Sequence, residues 1–175
     1  EDWYCDAVRY VVGKGLMTGT GPSRFSPGAA LTRGMLVTIL YRLEGRPAAS
    51  GAAFDDVSAD AWYADAVSWA AAEGIVTGYG GGIFGPDDDI TREQLAVILH
   101  RYAAAGEYEF RRTGPALQTF RDWADVSAWA ADGMDWAVGA ALISGKSGAL
   151  LDPGSSATRA ETAKILMDFC ETAVS

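Results

Sequence analysis

The chain has few of the residues that most often carry enzyme chemistry and metal binding. Its 175 residues include one histidine and two cysteines. Two cysteines cannot form a structural zinc site alone. A Ser-His-Asp arrangement would have to form around His100, and nothing in the sequence places a strained serine near it. We therefore expect this segment to have no enzyme activity, no cofactor and no metal site.

Basic residues and long apolar runs are also scarce. Fourteen Lys and Arg residues stand against 23 Asp and Glu residues, which gives a net charge of −9. Because affinity for nucleic acid depends largely on basic residues that neutralise phosphates, we expect no nucleic-acid partner. No apolar run approaches the roughly 20 residues of a membrane helix, so we expect no membrane insertion. The chain starts without Met or a signal segment, so we expect a fragment or a processed piece of a protein.

What the sequence does contain is a unit that occurs three times. Trp3, Trp62 and Trp129 are separated by 59 and then 67 residues. The same two offsets align three glycines, three prolines and three Thr-Arg pairs: Gly19, Gly78 and Gly145; Pro27, Pro86 and Pro153; Thr32-Arg33, Thr91-Arg92 and Thr158-Arg159. We expect repeats at 1–43, 54–102 and 120–173, linkers at 44–53 and 103–119, and one structural domain.

Each unit is predicted to be a helix, a glycine-rich loop and a second, capped helix. In the second repeat, Trp62, Ala66 and Trp69 fall on one helical stripe, with Asp60 as the expected N-cap and Gly74 just after the helix. We also expect Trp69 and Trp136 in the core, and His100 as a packing residue near its edge.

The second helix of each unit is predicted to begin at its Thr-Arg pair. Thr158 and Glu161 have the spacing of a capping box, and Thr91 and Gln94 form its glutamine version. In the first repeat Thr32 can cap the helix, but Met35 replaces the acidic or amide partner three residues later. One such unit buries little apolar surface, so three must share a core. The prediction is an all-α, pseudo-threefold domain with short extended segments in its loops.

The repeated pattern resembles the S-layer homology (SLH) motif, which typically occurs in threes. The resemblance is carried in the second repeat by Phe54-x-Asp56-Val57, Trp62-Tyr63, Ala66-Val67, Gly74-Ile75-Val76-x-Gly78-Tyr79, Phe84-x-Pro86 and Ile90-Thr91-Arg92-Glu93-Gln94. The third repeat is matched through Asp125-Val126, Trp129, Gly145 and Pro153, and the first through Trp3-Tyr4, Gly19 and Phe25-x-Pro27.

The resemblance implies a three-pronged binding module that holds a bacterial surface protein on the cell wall. The implied ligand is a secondary cell-wall polysaccharide, often carrying a pyruvate ketal, which binds in grooves between repeats. The Arg of each Thr-Arg pair is the implied principal contact. The corresponding expectations are an extracellular location in the cell wall or S-layer and fusion to a larger surface protein.

Residue chemistry points in the same direction. A capped helix N-terminus attracts anions, and an Arg there offers a planar fork that suits a carboxylate. The predicted ligand-binding residues are the Thr-Arg pairs, the repeated tryptophans at the start of each first helix, and three loop residues: Arg33, Arg92, Arg159, Thr32, Thr91, Thr158, Trp3, Trp62, Trp129, Gly78, Tyr79 and Lys146.

Simpler interpretations stay open at several of these positions. Each Arg could lie on a solvated helix start, and the three repeated Trp residues could form core or groove wall rather than sugar platforms. Asp87, Asp88 and Asp89 lack the alternating ligands of a calcium loop and suggest a solvated turn.

The two cysteines lie outside the repeat pattern. Cys5 is on the first helix of the first repeat and Cys170 on the last helix of the third, and a closed threefold arrangement makes those repeats neighbours. A Cys5–Cys170 disulfide and two free thiols are both compatible with the sequence.

Two functions therefore remain after the sequence is considered. The first is wall anchoring through an anionic polysaccharide. The alternative is a structural module of the cell surface that binds another protein and has lost glycan binding, an idea favoured by changes in the loops of the first and third repeats.

Overall fold

A computed structural model describes residues 2–49 and 54–173. Within these ranges the chain is helical, and its only β-structure consists of isolated bridges. Six α-helices follow one another: α1 (Cys5–Gly13), α2 (Arg33–Leu43), α3 (Ala64–Ala72), α4 (Arg92–Ala105), α5 (Ala131–Gly139) and α6 (Arg159–Thr172). Three short 3-10 helices, Leu117–Thr119, Trp123–Asp125 and Ala128–Ala130, precede α5. None of the helices in this part of the chain has the length and apolarity that a bilayer crossing requires. The all-α prediction is confirmed.

The second helix of each repeat begins where the capping pattern predicts. The hydroxyl of Thr91 accepts a hydrogen bond from the amide of Gln94, whose side chain accepts the amide of Thr91 in return. Thr158 and Glu161 make the same reciprocal pair. Thr32 caps α2 alone, because Met35 has no oxygen with which to return the bond.

The first helix of the second repeat starts later than the prediction. Two successive turns, in which Ala61 bonds to the carbonyl of Ser58 and Ala64 to that of Ala61, occupy the chain after Asp60. Helix α3 therefore begins at Ala64, and Trp62 lies in the preceding turn, where it is 61% exposed. The predicted apolar stripe is wrong at this residue. The predicted end of the helix is confirmed, since Gly74 follows it with a φ of +70°.

The helices pair between repeats. Helix α2 packs against α3, α4 against α5, and α6 against α1, so each second helix packs on the first helix of the next repeat. The last of these pairs joins the two ends of the chain and makes the arrangement cyclic. Among the described helices, the principal partner of each one therefore belongs to a neighbouring repeat, which covers its apolar face.

A ring of three main-chain hydrogen bonds joins the repeats at their centre. The amide of Leu31 donates to Ala157, the amide of Ile90 to Leu31, and the amide of Ala157 to Ile90, with lengths of 3.0, 2.8 and 2.8 Å. These three residues occupy equivalent positions in the repeats and are fully buried. The closed ring confirms the predicted pseudo-threefold arrangement.

The aromatic predictions hold in part. Trp69 is buried and contacts Tyr102, which is itself almost fully buried. His100 is half-buried and stacks on Trp136 at 5.1 Å between ring centres, which confirms it as a packing residue. Trp136, predicted as core, is only half-buried, because this stack lies at the edge of the α4–α5 pair.

A carboxylate before the first helix fixes the loop in two of the repeats. Asp56 accepts the amides of Phe84 and Gly85 at 2.8 and 2.7 Å, and Asp122 accepts those of Leu151 and Asp152 at the same distances. Asp122 is therefore the structural equivalent of Asp56. The sequence alignment is wrong at Asp125, because Trp123–Asp125 forms an extra 3-10 turn in the third repeat. Val126 still corresponds to Val57, since both pack against the core.

The segment predicted as the second linker, 103–119, is packed against the domain. Its first residues continue α4 to Ala105. Further along, Arg112 makes two hydrogen bonds to Asp135 on α5, and the amides of Thr113 and Gly114 donate to the carbonyl of Gly139. Of the first predicted linker, residues 50–53 lie outside the described residues.

Both cysteines are free thiols in this structure, so the disulfide alternative is not realised. Helices α1 and α6 do pack together. The side chain of Cys170, however, lies beside that of Tyr10, which is five residues and about 7.5 Å along α1 from Cys5. The two cysteines are therefore out of register across the helix pair.

Candidate functional site

Three grooves of 420 to 450 Å³ lie between the repeats and are built in the same way. Each is formed by the loop and second helix of one repeat, the Thr-Arg arginine of the preceding repeat and the repeated tryptophan of the next. Groove A uses the first repeat with Arg159 and Trp62. Groove B uses the second repeat with Arg33 and Trp129. Groove C uses the third repeat with Arg92 and Trp3, and so depends on the closure of the ring.

The predicted tryptophans form exposed walls of these grooves. Trp3, Trp62 and Trp129 are 64%, 61% and 59% exposed, although each ring is a large apolar surface. A core role is thereby excluded for all three. An exposed aromatic face at the rim of a groove suits stacking against an apolar face of a ligand.

The predicted arginines are buried, which overturns the interpretation of a solvated helix start. Arg33, Arg92 and Arg159 are 5%, 3% and 6% exposed. The Nε atom of each donates to a main-chain carbonyl in the loop of the next repeat: Phe84, Leu151 and Phe25, respectively, at 2.7 to 2.9 Å. This bond fixes each guanidinium in a groove wall and also joins two repeats.

Aromatic rings cover two of the three guanidinium groups. That of Arg33 lies 4.4 Å from the ring centre of Tyr79 and 4.8 Å from that of Phe84, and that of Arg159 lies 4.6 Å from Phe25. Burial lowers the pKa of Arg33 and of Arg159 from the ordinary value. Because that ordinary value lies far above neutrality, both groups stay charged at pH 7.

The helix N-termini are not free anion sites, contrary to the prediction from helix capping. The first two amides of α2 donate to the carbonyls of Asp88 and Pro86 in the next repeat, and those of α4 and α6 make the equivalent bonds. The third amide of each helix donates to its Thr cap. These amides hold the repeats together, so any charge on a ligand must be met by side chains.

The three Thr hydroxyls are likewise occupied in capping, and none of Thr32, Thr91 and Thr158 is part of the groove walls described above. Their hydroxyls are therefore not among the proposed ligand contacts. Gly78 lines groove B, and a Cβ atom there would lie 2.4 Å from the carbonyl oxygen of Ile83. Its φ of +66° adds a second reason for glycine.

The position after this glycine differs in each groove. Groove A has Thr20, groove B has Tyr79 and groove C has Lys146. The ammonium group of Lys146 is 2.8 Å from Asp152 and 3.8 Å from Glu161. Lys146 therefore lies in a groove, as predicted, but its charge is already paired.

One further set of groove residues was missed from sequence. Helices α2, α4 and α6 bring Arg42, Arg101 and Asp168 into grooves A, B and C. The repeat offsets place these three at equivalent positions, so the alignment contained the signal, but only the structure shows that this helix face lines a groove. Within residues 2–49 and 54–173, no group of three or more His, Cys, Asp or Glu side chains could hold a metal ion.

Comparison with known proteins identifies the repeated unit. The S-layer homology domain family matches residues 1–34, 53–96 and 119–163. An amylopullulanase of Thermoanaerobacterium thermosulfurigenes is 27% identical over 98% of this chain, and the surface-layer 125 kDa protein of Lysinibacillus sphaericus is 29% identical over 91%. A cellulosome-anchoring protein of Acetivibrio thermocellus is 35% identical over 55%.

The chain spans 9%, 13% and 21% of the lengths of these three relatives, so the similarity concerns one part of much longer proteins. Each family match covers most of one of the three repeats that build the grooves. The chain belongs to the S-layer homology domain family.

Proposed function

We propose that this domain anchors a larger surface protein to the bacterial cell wall by binding an anionic, pyruvylated wall polysaccharide in the grooves between repeats. Attachment at the wall is the function that family membership supports, and relatives named as surface-layer and cellulosome-anchoring proteins agree with an extracellular location. Enzyme names also occur among the relatives. Because this chain covers 9% of the amylopullulanase, the name of that enzyme is not evidence for the function of this domain.

One observation carries the choice of an anionic sugar. In a chain of net charge −9, each groove combines a buried arginine with an exposed tryptophan. A guanidinium group suits a carboxylate, such as that of a pyruvate ketal, and an indole face suits the apolar face of the sugar ring that carries it. Such grooves, occupied along one polymer, would give strong attachment from weak single contacts.

The experiment is co-sedimentation of the folded domain with purified wall sacculi, before and after chemical extraction of the polysaccharide. We expect binding to the untreated sacculi and its loss after extraction. Arg33→Gln and Arg159→Gln should weaken this binding, and Arg111→Gln is the matched control, because Arg111 is exposed and outside the three grooves.

Binding that survives extraction of the polysaccharide would contradict the proposal and favour the alternative function, a module that binds a surface protein. Binding that is lost on extraction but insensitive to both arginine variants would contradict the role of the grooves. Circular dichroism of every variant checks that the fold is intact.

A further inference from the structure

The three grooves differ in charge, although they are built alike. Among the described residues that line them, grooves A and B each have two arginines and no acidic side chain: Arg159 with Arg42, and Arg33 with Arg101. Groove C contains three cations and two acids: Arg92, Lys146, Lys164, Glu161 and Asp168.

In groove C the cations are paired within the protein. Arg92 uses all three of its nitrogens as donors, to the carbonyls of Leu151 and Ser144 and to the carboxylate of Glu161 at 3.2 Å. Lys146 is paired with Asp152, and Lys164 with Asp168. An anionic ligand would have to replace these contacts and would face two carboxylates.

Groove B has the opposite character. Among residues 2–49 and 54–173, the guanidinium group of Arg33 makes one hydrogen bond, through Nε, which leaves both Nη atoms for a ligand. Arg101 is exposed and makes no hydrogen bond or ion pair with the part of the chain that the structure describes. In groove A, Arg159 uses Nε and one Nη atom, and Arg42 donates one bond to the carbonyl of Leu16.

From this contrast we infer that the residue at position 42, 101 or 168 decides what each groove binds. Arg42 and Arg101 make grooves A and B sites for the acidic sugar, while Asp168 makes groove C a site for a neutral, hydroxyl-bearing sugar of the same polymer. Carboxylates that accept and lysines that donate can both satisfy sugar hydroxyls, and such a ligand leaves the ion pairs in place. This inference rests on the proposed function.

One tryptophan in each groove allows the grooves to be observed separately. The indole N–H signals of Trp62, Trp129 and Trp3 report on grooves A, B and C in a two-dimensional NMR spectrum. The probes are a methyl hexoside with a 4,6-pyruvate ketal and the same methyl hexoside without it. We expect the ketal compound to shift Trp62 and Trp129, and the neutral compound to shift Trp3.

Exchange of the two residue types tests the assignment. Arg101→Asp should raise the Kd of groove B for the ketal compound about tenfold or more and leave the Trp62 response unchanged. Arg101→Gln is a second variant that removes the charge without adding one. Asp168→Arg should make Trp3 respond to the ketal compound.

Two outcomes would overturn the inference. An equal response of all three indoles to the ketal compound, unchanged in Arg101→Asp and Asp168→Arg, would overturn this inference alone and leave wall anchoring intact. A folded domain in which none of the indoles responds to either compound, and which does not bind the extracted wall polysaccharide, would overturn the proposed function and this inference with it.

Discussion

The amide of Ala157 donates a 2.8 Å hydrogen bond to the carbonyl of Ile90, and this contact closes a ring that begins and ends at Leu31. The ring lies where the three repeats meet, and around it each second helix packs on the first helix of the following repeat. Because every repeat depends on both of its neighbours, removal of one repeat exposes apolar surface on the other two.

The first prediction is that the domain folds as one cooperative unit. A fragment that ends at residue 105 lacks α5, α6 and Ala157, so both α4 and α1 lose the helices they pack against. We expect no cooperative urea transition for this fragment and a single one for the full chain, measured by circular dichroism. A fragment that unfolds cooperatively at the midpoint of the full chain would contradict the cyclic packing.

The groove arginines are predicted to stabilise the fold as well as bind ligand. Arg92→Ala removes three hydrogen bonds, so that the carbonyls of Leu151 and Ser144 lose a donor and Glu161 keeps only its contacts with Thr158 and Lys146. We expect the free energy of unfolding to fall by about 2–4 kcal/mol, since buried groups then lose their donors. The matched variant Arg101→Ala, at an exposed residue, should cost less than about 0.5 kcal/mol. Equal stability of the two variants in urea titrations would argue against a structural role for Arg92.

Asp56 is predicted to give acid-dependent stability. Burial raises the pKa of Asp56, but the hydrogen bonds from the amides of Phe84 and Gly85 lower it. The net result is a pKa below the ordinary value. A carboxylate with a lowered folded-state pKa stabilises the fold above its unfolded pKa near 3.9, and this stabilisation is lost as the pH falls through the folded value.

Asp56→Asn should therefore lower the free energy of unfolding by about 1 kcal/mol or less at pH 7, since Asp56 is exposed and solvent screens its charge, and the difference from the wild type should shrink below about pH 4. Denaturant titrations at several pH values measure this difference. Asp55→Asn is the control, because the side chain of Asp55 accepts neither of these two amides. A difference that is independent of pH would contradict the role of the charge.

The cysteines are predicted to react as two unequal thiols. Cys170 is the less reactive one, since burial raises the pKa of its thiol and thereby reduces its thiolate fraction. Mass spectrometry after timed alkylation without reductant should show both sites modified, with Cys5 modified first. Cys5→Ser and Cys170→Ser identify the sites. Protection of both cysteines until a reductant is added would instead reveal a disulfide.

Much of this domain could be predicted from its sequence, because the relevant signals are local. The capping boxes at Thr91 and Thr158, and the helix end at Gly74, depend on hydrogen bonds within a few residues of chain. Repetition of the Thr-Arg pairs at fixed offsets then led to the three arginines that line the grooves.

Other features involve residues that are distant in sequence, and only the tertiary structure decided them. Burial of Arg33 depends on the loop of the next repeat, where the carbonyl of Phe84 is 51 residues away in the chain. The same loop accepts hydrogen bonds from the helix amides that the sequence suggested were free. The equivalence of Asp56 and Asp122 is visible only from the amides they accept, because an inserted turn shifts the sequence pattern.

The sequence by itself determined that three similar units exist, that each has a capped helix after a glycine-rich loop, and that arginine and tryptophan recur in them. The tertiary structure decided which repeat supplies each wall of a groove, because helices pair between repeats and the ring closes from Ala157 to Ile90. It also decided which charges are free. The guanidinium group of Arg92 is paired with Glu161, which is 69 residues away in the chain, so this pairing arises only from the tertiary structure.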